Sequence, residues 1–229
     1  MSVDMSLIKT AIILAFISNF SLGCAAFRSE ISGGAKDALV KNYGAKPVSV
    51  LFIFSHSRFR KGLDAIPKLN TKRQILSGFD DIFYDALQDI SNVGSYSTFT
   101  EYSSDVNDPA RRALKDSLIS THDYTIKMRF KKETSFLKNF LGNLLSTVTL
   151  TLVPAPYTQS HSLETKVFNY NGEIVAQYNH RASVTKWVEA LLIVIYPFHT
   201  EKRKTEEIYV AIIHDVFRQI DSQKILQIQ

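Results

Sequence analysis

The sequence predicts an α/β fold, with α+β the alternative: a β-α-β-α-β core, then a β-hairpin and a C-terminal helix. Three observations predict it. Pro47-Val-Ser-Val-Leu-Phe-Ile-Phe54 is an apolar run rich in β-branched and aromatic residues, as a strand buried on both faces would be. Segments of helical period separate it from two alternating segments downstream, the order that builds a parallel sheet. Asn171-Gly172 then lies between two further alternating runs, at a turn whose central positions both need φ > 0.

Composition narrows the class. At 229 residues the chain allows one domain or at most two. With 45 % hydrophobic and 21 % charged residues it is neither a disordered tail nor a polytopic membrane protein. The net charge of +5 suits an anionic surface such as lipid or a cell-wall polymer. It is too weak for nucleic acid, which asks for a clustered basic stripe. The single cysteine, Cys24, excludes an intrachain disulfide and any multi-cysteine zinc site.

Residues 24–46, with Gly33-Gly34 and Gly44 among scattered charges, read as a tether, and residues 47–229 as a single α/β domain. After the first strand, 55–71 reads as a loop carrying His56, Arg58, Arg60 and Lys61. Helical spacing over 73–91 puts Ile75, Phe79, Ile82, Phe83, Ala86 and Ile90 on one face. The opposite face holds Asp80, Asp81, Asp85 and Asp89. That row reads as a solvated face, because no loop gathers the carboxylates around one point. Residues 96–102 alternate as a strand. Asp108-Pro109 supplies an N-cap and a first-turn proline for a helix over 109–120. Residues 123–131 alternate again, with Tyr124, Ile126, Met128 and Phe130 on one face. In the hairpin 163–170 faces 173–183, and a two-residue turn pairs Phe168 with Val175, Val167 with Ala176 and Leu163 with His180. Thr205 can cap the last helix, whose stripe is Ile208, Ile212, Val216 and Ile220, with His214 on its solvated side.

Two apolar segments, 139–157 and 187–199, flank the hairpin. The first lies in a stretch without a charged side chain from Asn139 through Leu163, and Pro154 and Pro156 stop it. The second is too short to span a bilayer as a helix. Its flanks, Trp187 and Lys186 before and Lys202, Arg203 and Lys204 after, suit a membrane interface. Antiparallel pairing brings both segments to one end of the domain. The membrane-contact candidates are Leu144, Leu145 and Val148 in the first and Trp187, Leu192, Ile193, Ile195 and Phe198 in the second. Three placements stay open: packing on the sheet as core, lying in the interface, and spanning the bilayer.

Residues 1–23 read as a signal peptide, in which Lys9 precedes an apolar run from Thr10 to Leu22. Ser21-Leu22-Gly23-Cys24 closes the run. This resembles the lipobox of bacterial lipoproteins, with Gly23-Cys24 matching and Leu22 one step later than the usual leucine. The resemblance implies that Cys24 becomes the first mature residue, bearing a diacylglyceryl thioether and an acylated amine. Two or three such chains anchor stably where one would not. Secretory cleavage after Ala25 or Ala26 and an uncleaved anchor are the other readings. Ala25, in place of Asp, resembles outer-membrane sorting, which implies an outer-membrane protein facing the periplasm. The element order, with Leu152-Val153-Pro154 after the first insertion, looks like uncharacterised bacterial envelope lipoproteins. More distantly it is similar to the α/β domains of lipoproteins that activate cell-wall synthases or assemble secretion pores.

No G-x-S-x-G elbow, phosphate loop or dinucleotide fingerprint occurs, and the histidines show no paired metal-ligand spacing. No catalytic residue, metal ligand or cofactor is therefore assigned. His161 and His180 can approach across the hairpin. His56 and Arg58 are the ligand candidates, because open α/β sheets take ligands at the carboxyl ends of their strands. The expected function is a non-enzymatic binding or assembly factor at the membrane. Its partners are lipid, through acylated Cys24, and another envelope protein, without nucleic acid. The alternative is an envelope hydrolase or transferase acting on lipid or cell-wall substrate near His56.

Overall fold

In the computed structural model, described over residues 24–34, 45–71, 78–148, 155–188 and 200–227, one sheet organises the chain. Its strands are β1 (Cys24–Arg28), β2 (Val48–Lys61), β3 (Lys68–Leu69), β4 (Val93–Glu101), β5 (Tyr124–Ser135), β6 (Ala155–Asn169) and β7 (Ile174–Val188). The helices are α1 (Phe79–Leu87), α2 (Pro109–Ser120), α3 (Phe136–Val148) and α4 (Glu201–Ser222). In space the strands run β1-β7-β6-β5-β2-β3, and β4 also pairs with β2. The α/β expectation holds. Strands β2, β4 and β5 are parallel, and β6, β7 and β1 continue the sheet antiparallel.

Strand β2 is apolar without alternation because both its faces are covered. Val50, Phe52 and Phe54 meet Phe83 of α1 and Phe217 of α4 in the main core. Leu51 and Ile53 turn the other way, towards Phe99 and the Leu118 and Ile119 of α2. The Phe52 ring packs edge-on against Phe83 at 4.9 Å, a favoured aromatic geometry. Helix α2 starts where Asp108 accepts the Arg111 N–H and Pro109 fills the first turn. The predicted stripe of α4 is buried in full.

Several expectations need correction. The tether expected over 24–46 begins as a strand: Cys24–Arg28 pairs with β7, and Ala25 and Ala26 are buried. The loop expected over 55–71 is strand as far as Lys61, because backbone pairing with β5 proceeds whatever the side-chain polarity. At the hairpin tip Phe168 pairs with Ile174, not Val175, across a register shift, while Val167–Ala176 and Leu163–His180 keep the expected register. The cause is Asn169, whose side chain accepts the Glu173 N–H and so widens the turn. Thr200, rather than Thr205, caps α4 by accepting the Arg203 N–H. His214 is not solvated. It bonds Asp89 at 2.6 Å and Asp85 at 3.3 Å, so Asp89 of the acidic row is sheltered against α4 while Asp85 stays largely in water. Residues 73–77 of the first expected helix lie outside the described residues.

Candidate functional site

Helix α3 follows β5 without a linking loop and packs against β6. Its half-buried positions are Asn139 and Gly142. A Cβ at Gly142 would stand 3.4 Å from the Tyr157 ring, so this side of the helix sits close against β6. The Tyr157 hydroxyl donates to Asn143 Oδ1 at 2.8 Å. The apolar residues point away. Phe136, Phe140, Leu144 and Val148 form one outward row and Leu137, Leu141 and Leu145 the next, each 43 % to 74 % exposed. A surface helix of a globular protein turns its apolar stripe inward. Here the orientation is reversed.

The sheet register places this helix among the other candidates. Cys24 of β1 and Ala155 of β6 both pair with Val188, the last residue of β7. These residues share one end of the sheet with Lys61 and Ser135, where β2 and β5 finish. Exposed Leu63 and Ile66 follow β2 at that end. Trp187 is half-buried there between Ala25 and Pro156. Leu192, Ile193, Ile195 and Phe198 lie outside the described residues, as do the leader and 149–154. The cations expected to flank the second segment are engaged along α4: Lys202 with Glu206, and Arg203 and Lys204 with Glu207. Among the described residues no helix is long and apolar enough to cross a membrane.

His56 and Arg58 part company. His56 is buried in the core, stacked on Phe130 at 4.7 Å and edge-on to Phe79 at 5.0 Å. Burial pushes its imidazole down to about 4, so it is neutral at pH 7. It is not the loop residue its neighbours in sequence imply. Arg58 is exposed two positions further, and lines an open cleft of about 370 Å³ with Arg60, Asp64, Lys68, Lys132, Thr134 and Gln159. Asp64 pairs with Arg60 and Lys68, and its carboxyl is held below the usual range chiefly by the Arg60 N–H. The cationic character of this cleft is invisible in any one segment, because it comes from β2, β3 and β5 together.

His161 and His180 occupy the face that α4 covers, each with its own neighbour. His161 meets the Tyr209 ring edge-on at 5.8 Å, while His180 Nε2 bonds Asp215 Oδ2 at 2.8 Å. Gln219 donates to the same carboxylate and to the Gly33 carbonyl, tying α4 to the segment after β1. No local signal in the sequence joins these residues. Among the described residues no three His, Cys, Asp or Glu side chains gather as a metal site.

No protein-family model matches the chain, and no curated protein sequence does. Solved structures resemble it distantly. The PelC dodecamer from Paraburkholderia phytofirmans aligns with a TM-score of 0.31 and 12 % identity, over 86 % of this chain and 98 % of that one. A single-substitution form of the same dodecamer gives 0.30 and 10 %, over 87 % and 99 %. A likeness at that level carries no functional assignment.

Proposed function

We propose that this chain is a lipid-anchored bacterial envelope protein, held through acylated Cys24 at the outer membrane and facing the periplasm. It acts there as a non-enzymatic binding or assembly factor, with α3 lying in the membrane interface and another envelope protein as partner. The observation that carries the reading is the reversed orientation of α3. Its polar side is fixed to β6 by Tyr157 and its apolar side is left outward. Soluble monomers rarely expose a contiguous apolar patch of this kind. Burying a half-exposed leucine or phenylalanine is worth about 1 kcal/mol, so the two rows together favour an apolar environment by several. Cys24 lies at the same end of the sheet, so an acyl chain on it would enter the bilayer beside the helix.

The test is a photoreactive residue placed at Leu144 and activated in intact cells. Adducts with lipid or with another envelope protein are the expected result. A chain that yields neither has its helix in water, and the reading fails.

A further inference from the structure

The face of the sheet that carries the core continues past the helices and changes character there. Along β2 the residues on this face are Val50, Phe52, Phe54 and His56, then Arg58 and Arg60. Arg58 stands directly opposite Lys132 of β5, and Arg60 opposite Thr134. Like charges directly opposed on a sheet repel. The nearby carboxylates relieve them only in part. Asp64 is shared by Arg60 and Lys68, and Glu201 of α4 by Gln159, Lys132 at 3.7 Å and Lys186 at 4.0 Å. Among the described residues no carboxylate pairs with Arg58. The cleft is therefore a concavity with a surplus of positive charge at its centre, and two guanidinium groups that match the oxygens of a phosphate.

Its position says where such a phosphate would come from. Lys132 and Thr134 lie in the last four residues of β5, which α3 follows directly, so Lys132 is within about 13 Å of Phe136 along an extended strand. Leu63 and Ile66, exposed in the turn that follows β2, border the same end. We infer that the cleft holds the headgroup phosphate of an anionic phospholipid in the bilayer that α3 enters. The inference rests on the membrane reading of α3 and adds the class of lipid. A phosphate between Arg58 and Lys132 removes their repulsion, while the apolar rows of α3 take up the neighbouring acyl region.

Calorimetric titration of the full chain in a neutral detergent tests this, with short-chain phosphatidylglycerol, short-chain phosphatidylcholine and inorganic phosphate as separate probes. The anionic lipid should bind and the zwitterionic lipid should not compete. Each cation near an anionic headgroup contributes about fivefold, so R58Q with K132Q should weaken binding about thirty-fold, while R58K keeps most of it. Both sites are on the rim of the fold, and circular dichroism of the double variant should match the parent. Equal binding by the double variant, or no binding by the parent, overturns the inference. Inorganic phosphate binding as tightly as the lipid also overturns it, by making the ligand a free anion. Titration of L144D separates this proposal from the one it rests on: its cleft should bind the soluble lipid as before, whatever becomes of its adducts in cells.

Discussion

Tyr157 donates its hydroxyl to Asn143 Oδ1 at 2.8 Å, and this bond joins the start of β6 to the polar side of α3. With Gly142 against the same ring, the helix has one way to lie, and that way turns Phe140, Leu144 and Val148 outward. Replacing Leu144 by Asp should therefore leave stability within about 0.5 kcal/mol of the parent, as for surface substitutions generally. Association with vesicles should fall by about tenfold or more, because a charge replaces a side chain that the interface would bury. Urea denaturation and liposome flotation of the same variant give the two numbers. A variant that unfolds would show instead that Leu144 packs in the protein.

Trp187 offers a reporter that needs no label, since it is the only tryptophan in the chain. It is half-buried at the end of β7, opposite Ala25 and Pro156. If that end meets the bilayer, its emission should shift to the blue on adding vesicles and be quenched by brominated acyl chains. Emission and acrylamide quenching that stay the same with and without vesicles would place this end of the sheet away from lipid.

How much of this was legible beforehand depended on whether the cause was local. The run through Phe54 announces β2 because a strand buried on both faces must be apolar throughout. Asp108-Pro109 announces α2 because an N-cap acts within three residues. The outward candidates Leu144, Leu145 and Val148 stood out as apolar residues in a charge-free stretch. Other features have distant causes. Ala25 and Ala26 become a strand only because β7 is beside them, and His214 finds Asp89 from 125 positions away. His56 looked like a loop residue since Ser55, Ser57 and Arg58 surround it, yet Phe130 and Phe79 enclose its ring. The cleft around Arg58 likewise needed the register of β2 on β5.

Two glycines should respond differently to alanine. Gly33 has φ +93°, and a Cβ there would fall 2.1 Å from the Asn179 carbonyl oxygen, which belongs to the backbone of β7 and cannot move aside. Gly172 has φ +79° at the hairpin tip, with nothing within 4 Å of an added Cβ. Gly172→Ala carries only the left-handed strain, about 1 kcal/mol. Gly33→Ala adds the clash and pulls the Gly33 carbonyl from Gln219, so it should cost at least about 2 kcal/mol more. Thermal or urea melts of both variants check the order. Equal losses would mean that the 32–34 segment is not held against β7.

Labelled fatty acid tests the anchor. If Cys24 is acylated, growth in labelled palmitate should mark the parent chain, and Cys24→Ser should carry no label and keep its leader. Continued labelling of the serine variant would eliminate Cys24 as the site. Labelling of neither chain would overturn the lipid anchor altogether.

Two buried histidines set the response to acid. His56 lies flat on Phe130, and His161 meets Tyr209; both imidazoles are pushed down to about 4, His56 by burial and His161 chiefly by burial, with Lys132 adding to the shift and Glu201 opposing it. In the unfolded chain each returns to about 6.5. Between those values the unfolded state binds more protons than the folded one, so stability rises with pH across the window and is lost as pH falls from 6.5 towards 4. The loss approaches about 3 kcal/mol for each histidine at the bottom of the window. Carboxylates paired in the fold, such as Asp64, titrate lower and act mainly below it. The comparison that isolates the histidines is the urea midpoint at pH 7 and pH 4.5 for the parent and for His56→Phe with His161→Phe. Phenylalanine keeps an aromatic ring against Phe130 and Tyr209 but takes up no proton. The parent should lose more stability than the double variant on going to pH 4.5. Equal losses would show that both imidazoles reach water in the folded chain and titrate there as they do unfolded.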